Sequence, residues 1–339
     1  MNQPSDQQLI GESKAFLDVL EHVSRVAQLN RPVLVIGERG TGKELIAARI
    51  HYLSPRWDRP YVKLNCAALA ESLLESELFG HEAGSFTGAT RRRLGRFELA
   101  NQGSLLLDEL ANTSDRVQEK ILRVIEYGEL ERVGGGETLQ TNVRIIGSTN
   151  EDLPALAEQG KFRADLLDRL AFDVVTIPPL RHRLDDLLPM AEHFAVKMCA
   201  ELGLEVFSGF ADTAREQLQE YPWPGNVREL KNVIERAVYT AGEDSNPIRS
   251  IVFDPFHSPW RPAQTRSGDC LHQAATTPTQ PYDFKQHINA KEIELLQAAL
   301  KECRYNQKKT AEFLGMTYHQ LRGYLRKYDL TEAGAEAAN

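Results

Sequence analysis

Cysteine is scarce in this sequence. Its 339 residues include only four cysteines, at positions 66, 199, 270 and 303, and no two of them form a CxxC pair. Disulfide frameworks and cysteine-based zinc sites need paired or clustered cysteines, so the spacing argues against both. The pattern is typical of reduced thiols in a cytoplasmic protein.

Long apolar runs are also missing. Segments such as VLVI at 33–36 and LLL at 105–107 have the length of strands and are far too short to cross a bilayer. The first residues, MNQPSDQQLIGESK, lack the basic-then-apolar layout of a secretory signal. We therefore expect no membrane insertion and a cytoplasmic location.

Basic residues are outnumbered by acidic ones, 40 against 48, which gives a formal net charge of −8. That balance alone argues against nucleic-acid binding. Residues 304–327 differ, because they hold six basic side chains and one acidic side chain. A basic module attached to an acidic body predicts a localised polyanion partner.

Five apolar runs indicate the fold class: VLVIG (33–37), YVKL (61–64), SLLLD (104–108), VRIIGS (143–148) and FDVVTI (172–177). Each is followed by helix-like sequence, which predicts an α/β fold whose parallel sheet is covered on both faces. We predict an α/β domain at 1–178, a small helical lid at 179–241, a proline-rich flexible linker at 242–284 and an all-α domain at 285–332.

Residues 37–43, GERGTGK, lie between a predicted strand and a predicted helix. In this context a P-loop wraps phosphates with its backbone N–H groups, and Lys43 reaches the terminal ones. The alternative is a glycine-rich turn with a chance lysine. Glu44 stands where a Ser or Thr hydroxyl would bind Mg²⁺, so the metal must use other groups and water. The predicted nucleotide-binding residues of this segment are Gly37, Glu38, Arg39, Gly40, Thr41, Gly42, Lys43 and Glu44.

Polar side chains follow three of the predicted strands. Asp108 suits Mg²⁺, and Glu109 could polarise the water that attacks the γ-phosphate. The alternative is an acidic pair that caps the next helix. Asn65 and Asn150 follow neighbouring strands, where asparagine is often only a turn former. Our hypotheses are that Asn65 restrains Glu109 until nucleotide is sensed, and that Asn150 senses the γ-phosphate.

Residues 80–93, GHEAGSFTGATRRR, place one aromatic ring between glycines. This pattern predicts a mobile turn with an exposed phenylalanine, which a partner would have to bury. Packing of Phe86 into its own core is the alternative. The segment of interest comprises Gly84, Ser85, Phe86, Thr87, Gly88 and Ala89.

The basic tail predicts a helix-turn-helix motif. A short helix at 308–314, a break at Gly315 and a second helix from Thr317 to Tyr328 have the required spacing. Thr317 can cap the second helix. A solvated three-helix bundle is the alternative, but it leaves the local basic charge unexplained. The predicted DNA-binding residues are Thr317, Tyr318, His319, Gln320, Arg322 and Arg326.

The P-loop, LLLDE, GSFTGA, FRADLLDRL (162–170) and WPGNVREL (223–230) occur in the order and spacing of a known family. The chain resembles the AAA+ activators of sigma-54 RNA polymerase over residues 8–241 and, less specifically, in its tail. The family loop usually reads GAFTGA, and Ser85 here replaces the alanine. The resemblance implies an ATPase with Mg²⁺ whose loop contacts sigma-54 in the polymerase holoenzyme. It also implies a Fis-type tail that binds enhancer DNA as a dimer.

The resemblance assigns roles to three arginines. Arg163 and Arg169 would act as arginine fingers on a neighbouring subunit, which implies a ring, expected to be a hexamer. Arg228 would contact nucleotide within its own subunit and couple hydrolysis to lid motion. The motifs leave two other classes open. One is a AAA+ unfoldase, and the other is a DNA-binding repressor whose ATP site is only regulatory.

The ATPase region begins almost at residue 1, which leaves no room for a receiver domain in front of it. We therefore expect control by a separate protein. Within the family the chain most resembles the activators of phage shock operons, in the segments YLSPRWDRPY (52–61) and TYHQLRGYLRKY (317–328) and in its short front end. This resemblance implies phage shock protein A as the repressor. Trp57, in a charged loop that contains prolines, is a candidate for that contact. Packing of Trp57 on its own domain is the alternative.

Overall fold

The computed structural model describes residues 9–86, 89–242, 246–256, 284–303 and 306–328. The chain divides into two compact units, Met1–Ser258 and Pro259–Asn339. The first unit holds a five-stranded sheet with its helices, and the second holds three helices.

The strands lie close to the predicted apolar runs. They are β1 (Val33–Ile36), β2 (Tyr61–Asn65), β3 (Gly80–His81), β4 (Arg93–Leu94), β5 (Ser104–Asp108), β6 (Glu129–Glu131), β7 (Thr138–Gln140), β8 (Arg144–Thr149) and β9 (Val174–Thr176). Five of them form one parallel sheet in the order β2-β5-β8-β1-β9. The pairs β3–β4 and β6–β7 are separate antiparallel ribbons. The predicted parallel sheet is confirmed.

Helices cover this sheet and continue into a lid. They are α1 (Lys14–Ala27), α2 (Lys43–Tyr52), α3 (Glu71–Phe79), α4 (Arg96–Leu99), α5 (Asp115–Tyr127), α6 (Leu153–Glu158), α7 (Ala164–Leu170), α8 (Leu187–Leu202), α9 (Asp212–Glu220) and α10 (Asn226–Ala241). The second unit contributes α11 (Phe284–Glu302), α12 (Gln307–Phe313) and α13 (Tyr318–Lys327). No helix within the described ranges is long and apolar enough to span a bilayer.

The central strand β5 shows why both faces of the sheet are covered. Leu105 and Leu107 belong to the core cluster on one face, which includes residues of α3, α5 and α7. Leu106 belongs to the cluster on the other face, with residues of α1 and α2. Alternate strand residues point to opposite faces, so a strand that is apolar throughout must be buried on both.

The strand register places polar groups at one edge of the sheet. Asn65, the last residue of β2, pairs with Asp108, the last residue of β5. Ile36 of β1 pairs with Thr149 of β8 at the same end. The five strands of this sheet run parallel, so the residues that follow them meet at the carboxyl edge, where such sheets bind ligands.

The lid packs around Trp223. Its ring is fully buried, and its Nε1 donates to the Leu218 carbonyl oxygen at 2.9 Å. Phe253 stacks on Tyr221 at 4.2 Å between ring centroids, and Ile251 is buried in the same core. The predicted start of the linker at residue 242 is therefore too early, because the segment 246–256 packs on the lid. Apolar periodicity missed them, since isolated aromatic contacts without a regular element hold this segment. Residues 257–283 lie outside the described ranges.

The second unit is a three-helix domain with the predicted helix-turn-helix. Leu300 of α11, Ala311 of α12 and Leu321 of α13 share its core. Gly315 has a φ of 64°, a left-handed conformation that favours glycine, and it ends the turn after α12. The predicted helix boundaries agree with α12 and α13 to within about one or two residues.

Candidate functional site

The P-loop places Lys43 at the first position of α2. Gly42 precedes it with a φ of 99° and Gly40 has a φ of 80°, so both use left-handed conformations that suit glycine. Lys43 is only 8% exposed, and its Nζ donates to the Gly37 carbonyl oxygen at 2.9 Å. Burial lowers the pKa of Lys43, while the negative charges of Glu109 and Asp108 oppose that shift.

Asp108 is held at the carboxyl end of β5 by two donors. Its Oδ1 accepts from the Ser148 hydroxyl at 2.6 Å, and its Oδ2 accepts from the Asn65 amide at 3.0 Å. The Asn65 side chain also accepts from the backbone N–H of Ala67 at 2.9 Å. Asn65 therefore contacts Asp108, and no hydrogen bond joins it to Glu109 in this conformation.

Glu109 follows in a strained conformation. Its φ of 53° and ψ of 45° lie in the left-handed region, which residues other than glycine rarely adopt. Its Oε2 atom is buried and has no hydrogen-bond partner among the described protein atoms. A carboxylate oxygen in this position is ready to accept a proton or to orient a water molecule.

Glu44 does not replace the missing hydroxyl as a metal ligand in this conformation, because it pairs with Lys63 of β2. The Lys63 Nζ and the Glu44 Oε1 are 2.7 Å apart. Asp108 fits Mg²⁺ better: an ionised carboxylate has about four acceptor positions, and its two hydrogen bonds leave others facing the cavity.

These groups converge on one cavity of about 380 Å³ between the sheet edge and the lid. Its lining includes the charged residues Lys43, Asp108, Glu109 and Arg228. It also includes the apolar residues Leu9, Ile10, Phe194 and Val227. A cavity lined by cationic groups, P-loop backbone and apolar side chains suits a nucleotide, which has both charged phosphates and a flat apolar base.

Some predicted site residues do not line this cavity: Gly37, Glu38, Asn65, Asn150, Arg163 and Arg169. Asn65 reaches it only through Asp108. Asn150 lies just after β8, where its amide donates to Glu151 at 3.3 Å and its Oδ1 is buried without a partner among the described atoms. Asn150 therefore does not line the cavity in this conformation.

The loop between β3 and β4 presents Phe86. The ring is 45% exposed, and one side meets His81 at 5.0 Å in an edge-to-face arrangement. The Gly84 N–H donates to the Ala89 carbonyl oxygen at 2.7 Å, which closes the loop at its base. Phe86 is thus neither free nor buried. The predicted loop residues Thr87 and Gly88 lie outside the described ranges.

Sequence reasoning missed a second loop, between β6 and β7, that supports the first. The Glu82 N–H donates to the Val133 carbonyl oxygen at 3.1 Å, and the Val133 N–H donates to Gly80 at 2.9 Å. A Cβ atom at Gly134 would overlap the side chain of Ser85. The run VGGGE was a signal for a tight turn, but nothing in it indicated this partner.

Three family models match the chain. They are the Sigma-54 interaction domain over residues 9–177, the AAA+ ATPase lid domain over residues 181–257, and the Bacterial regulatory protein, Fis family, over residues 291–328. The Psp operon transcriptional activator of Escherichia coli strain K12 is 58% identical over 324 residues, which are 95% of this chain and 98% of that protein. The chain belongs to the sigma-54-dependent transcriptional activators. The predicted family and fold are confirmed.

The chain is also similar to other proteins. The Nif-specific regulatory protein of Azotobacter vinelandii is 43% identical to this chain over 316 residues, which are 93% of this chain and 58% of that protein. The crystal structure of NtrX from Brucella abortus in complex with ADP has a TM-score of 0.68 and 32% identity, covering 95% of this chain and 69% of NtrX. The NtrX complex with ATP has a TM-score of 0.67.

The two candidate finger arginines of the activator lie away from its own nucleotide cavity. Arg163 precedes α7, and its guanidinium donates to Asp165 at 2.8 and 3.1 Å. Arg169, in the last turn of α7, donates to Glu126 at 2.8 Å. Arg169 lines a larger cavity of about 580 Å³ whose walls include the residues that precede β1, β8 and β9. The P-loop contributes nothing to that cavity.

The helix α13 of the activator exposes all six predicted DNA-binding residues. Thr317 and Gln320 form a capping box: each side chain bonds to the backbone N–H of the other, at 2.9 and 3.4 Å. This contact turns the Gln320 side chain toward the helix start. His319, Arg322 and Arg326 remain exposed on the helix.

Proposed function

We propose that this activator hydrolyses ATP to ADP and phosphate and uses the energy to remodel the closed promoter complex of sigma-54 RNA polymerase. One observation carries the proposal: Lys43, Asp108 and Glu109 converge on one cavity, while the loop of Phe86 lies outside it. Similarity to NtrX, whose structures contain ATP or ADP, supports the choice of nucleotide.

In this mechanism Lys43 and the P-loop amides bind the phosphates, and Glu109 orients the attacking water through its unpartnered oxygen. Asp108 would hold Mg²⁺, which supplies neutralisation of phosphate charge when bound. Asn65 positions Asp108 by its hydrogen bond. Asn150 would sense the γ-phosphate after a rotation, and Arg228 would contact nucleotide from the lid.

Arg163 and Arg169 would complete the site of a neighbouring subunit. Neither arginine lines the cavity of its own chain, and each guanidinium donates to a nearby carboxylate. A contribution in trans makes each active site an interface, and a head-to-tail interface that closes forms a ring. We propose a hexamer.

The Phe86 loop would bind sigma-54 and move with the nucleotide state. The contact segment also includes Gly84, Ser85, Thr87, Gly88 and Ala89. The loop that contains Gly134 packs against this segment at Ser85. The tail would bind enhancer DNA as a dimer through α13, whose exposed arginines suit phosphates and guanine edges.

The similarity to the Psp operon transcriptional activator supports control of a phage shock operon. The repressor would then be phage shock protein A. Trp57 is 64% exposed, which suits a contact with a separate protein. A Trp57→Ala variant should hydrolyse ATP normally yet escape repression, measured as ATPase activity with and without added repressor. Normal binding and repression of the variant would refute the assignment of Trp57.

The experiment that tests the function is open-complex formation in a purified system with sigma-54 holoenzyme and promoter DNA. Opening should require ATP and fail with a non-hydrolysable analogue. An unfoldase would not open the promoter, and a repressor with a regulatory ATP site would respond equally to both nucleotides.

A further inference from the structure

Three carbonyl oxygens of the P-loop accept hydrogen bonds from the lid. The Arg39 carbonyl oxygen accepts from the Asn226 amide at 3.1 Å, and the Gly40 carbonyl oxygen accepts from the Arg228 backbone N–H at 3.3 Å. The Thr41 carbonyl oxygen accepts from the Arg183 guanidinium at 3.2 Å. In a trans peptide the N–H points opposite to the C=O. Each carbonyl oxygen that accepts from the lid therefore turns the backbone N–H of the following residue away from that contact. A P-loop binds phosphate with those amides.

Glu38 joins the same contact through its side chain. The Arg181 guanidinium donates to both Glu38 carboxylate oxygens, at 2.5 and 2.8 Å, and the Asn226 amide donates to one of them at 3.0 Å. The Arg181 contact, followed by the Asn226 contact, lowers the pKa of Glu38 to about 2. Glu38 is therefore ionised across the neutral range. Its charge, close to a phosphate site, is compensated by Arg181.

Asn226 links the parts of this contact. It is fully buried and has a left-handed φ of 52° at the start of α10. Its Oδ1 accepts from the Leu180 backbone N–H at 2.8 Å, which ties α10 to the turn where the lid begins. The P-loop and the start of α10 lie very close together, because a Cβ atom at Gly40 would overlap the carbonyl oxygen of Gly225. A buried polar side chain with every bond made fixes one geometry.

We propose that Glu38, Arg181 and Asn226 form a clamp that fixes the P-loop on the lid. They are positioning residues: the clamp orients the phosphate-binding amides and makes lid movement and nucleotide affinity depend on each other. The inference rests on the proposed function only in that the cavity binds a nucleotide. Loss of the clamp should weaken nucleotide binding, whereas loss of Glu109 should slow the chemical step.

A double-mutant cycle on the full-length protein tests the clamp. Glu38→Ala and Arg181→Ala should each weaken binding of fluorescently labelled ADP and ATP by about threefold to tenfold, the range for a partly exposed bidentate pair. KM for ATP should rise equally, with kcat within about twofold of wild type. The double variant should bind no worse than Glu38→Ala alone, because Glu38→Ala already removes the Arg181 contact together with the Asn226 contact. Arg181→Lys should recover part of the affinity, since an ammonium keeps the charge but loses the planar fork.

The control is Arg25→Ala, which removes an exposed ion pair with Glu21 within α1, outside the P-loop. It should leave nucleotide affinity unchanged. Thermal unfolding of every variant separates a folding defect from a binding defect. Unchanged affinity in both single variants, additive losses, or a fall in kcat at constant KM would each overturn the clamp. If the wild-type protein binds ADP but does not hydrolyse ATP, the proposed function fails while the clamp is still tested by ADP affinity.

Discussion

At the scale of single residues, the site combines strain with an unpaired oxygen. Glu109 holds a left-handed backbone, and its Oε2 has no partner among the described atoms. Such a conformation costs on the order of 1–3 kcal/mol and persists only where the surroundings enforce it. Strained, unpaired carboxylates cluster at catalytic positions, which supports the role of Glu109 as the group that orients water.

Replacing this carboxylate should separate hydrolysis from binding. Glu109→Gln is expected to lower kcat by about 10²- to 10⁴-fold, the range for loss of a general base, while ATP affinity stays near wild type. Phosphate release and binding of fluorescent ATP measure the two effects. Lys43→Ala is the comparison, since it should lose binding as well. Hydrolysis by Glu109→Gln at a wild-type rate would remove Glu109 from the mechanism.

Residue identity in the site was largely predictable, but hydrogen-bond partners were not. Lys43, Asp108 and Glu109 follow from motifs whose spacing is fixed by a strand, a loop and a helix. The partner of Asn65 is Asp108, although the sequence suggested Glu109. Both lie within reach of a strand-end asparagine, and a choice between neighbouring carboxylates depends on rotamers that no periodicity encodes.

At the scale of elements, the parallel strands were predictable because burial on both faces forces continuous apolar runs. The ribbon β6–β7 was not, because its strands are only three residues long, too short for the alternation of polar and apolar residues to stand out. The ribbon instead contacts the loop between β3 and β4. Arg132, almost fully buried beside this ribbon, donates to Glu82 at 2.9 Å and to Glu98 at 2.5 Å, and so links the two loops.

The contact between these loops gives a prediction. Gly134→Ala places a methyl group against Ser85 and forces alanine to a φ of 74°, a strain of about 1–2 kcal/mol. The variant should keep its ATPase activity but form fewer open complexes per ATP hydrolysed, because the Phe86 loop loses its support.

The neighbouring Gly136 provides the matched control for that change. A Cβ atom there meets nothing within 4 Å, and Gly136 is not among the positive-φ glycines. Gly136→Ala should therefore open promoters as wild type does. Equal yields from Gly134→Ala and Gly136→Ala would show that the second loop does not support the first.

At the scale of the whole molecule, the proposed mechanism distributes the catalytic groups over neighbouring subunits. The two candidate finger arginines do not line the cavity of their own chain, and they form ion pairs with Asp165 and Glu126. We therefore propose that a neighbouring subunit completes each active site and that sigma-54 binds a loop outside the cavity.

Mixing two inactive variants tests the shared site. Arg169→Ala and Glu109→Gln should each lack hydrolysis alone, but a mixed ring contains sites with an intact Glu109 beside a neighbour's intact Arg169. Random mixing in equal amounts should restore roughly a quarter of the wild-type rate per subunit. ATP binding by Arg169→Ala alone verifies its fold. A mixture that stays inactive would place both groups in one subunit's site.

The most direct measurement of the central claim is the number of open complexes formed per ATP hydrolysed by a Phe86→Ala variant with sigma-54 holoenzyme. Tyr239→Ala is the control, because Tyr239 is an exposed aromatic residue of the lid, 67% accessible, with no assigned role. We expect Phe86→Ala to hydrolyse ATP near the wild-type rate and to open almost no promoters, while Tyr239→Ala does both normally. Promoter opening by Phe86→Ala at the yield of Tyr239→Ala would contradict the central claim.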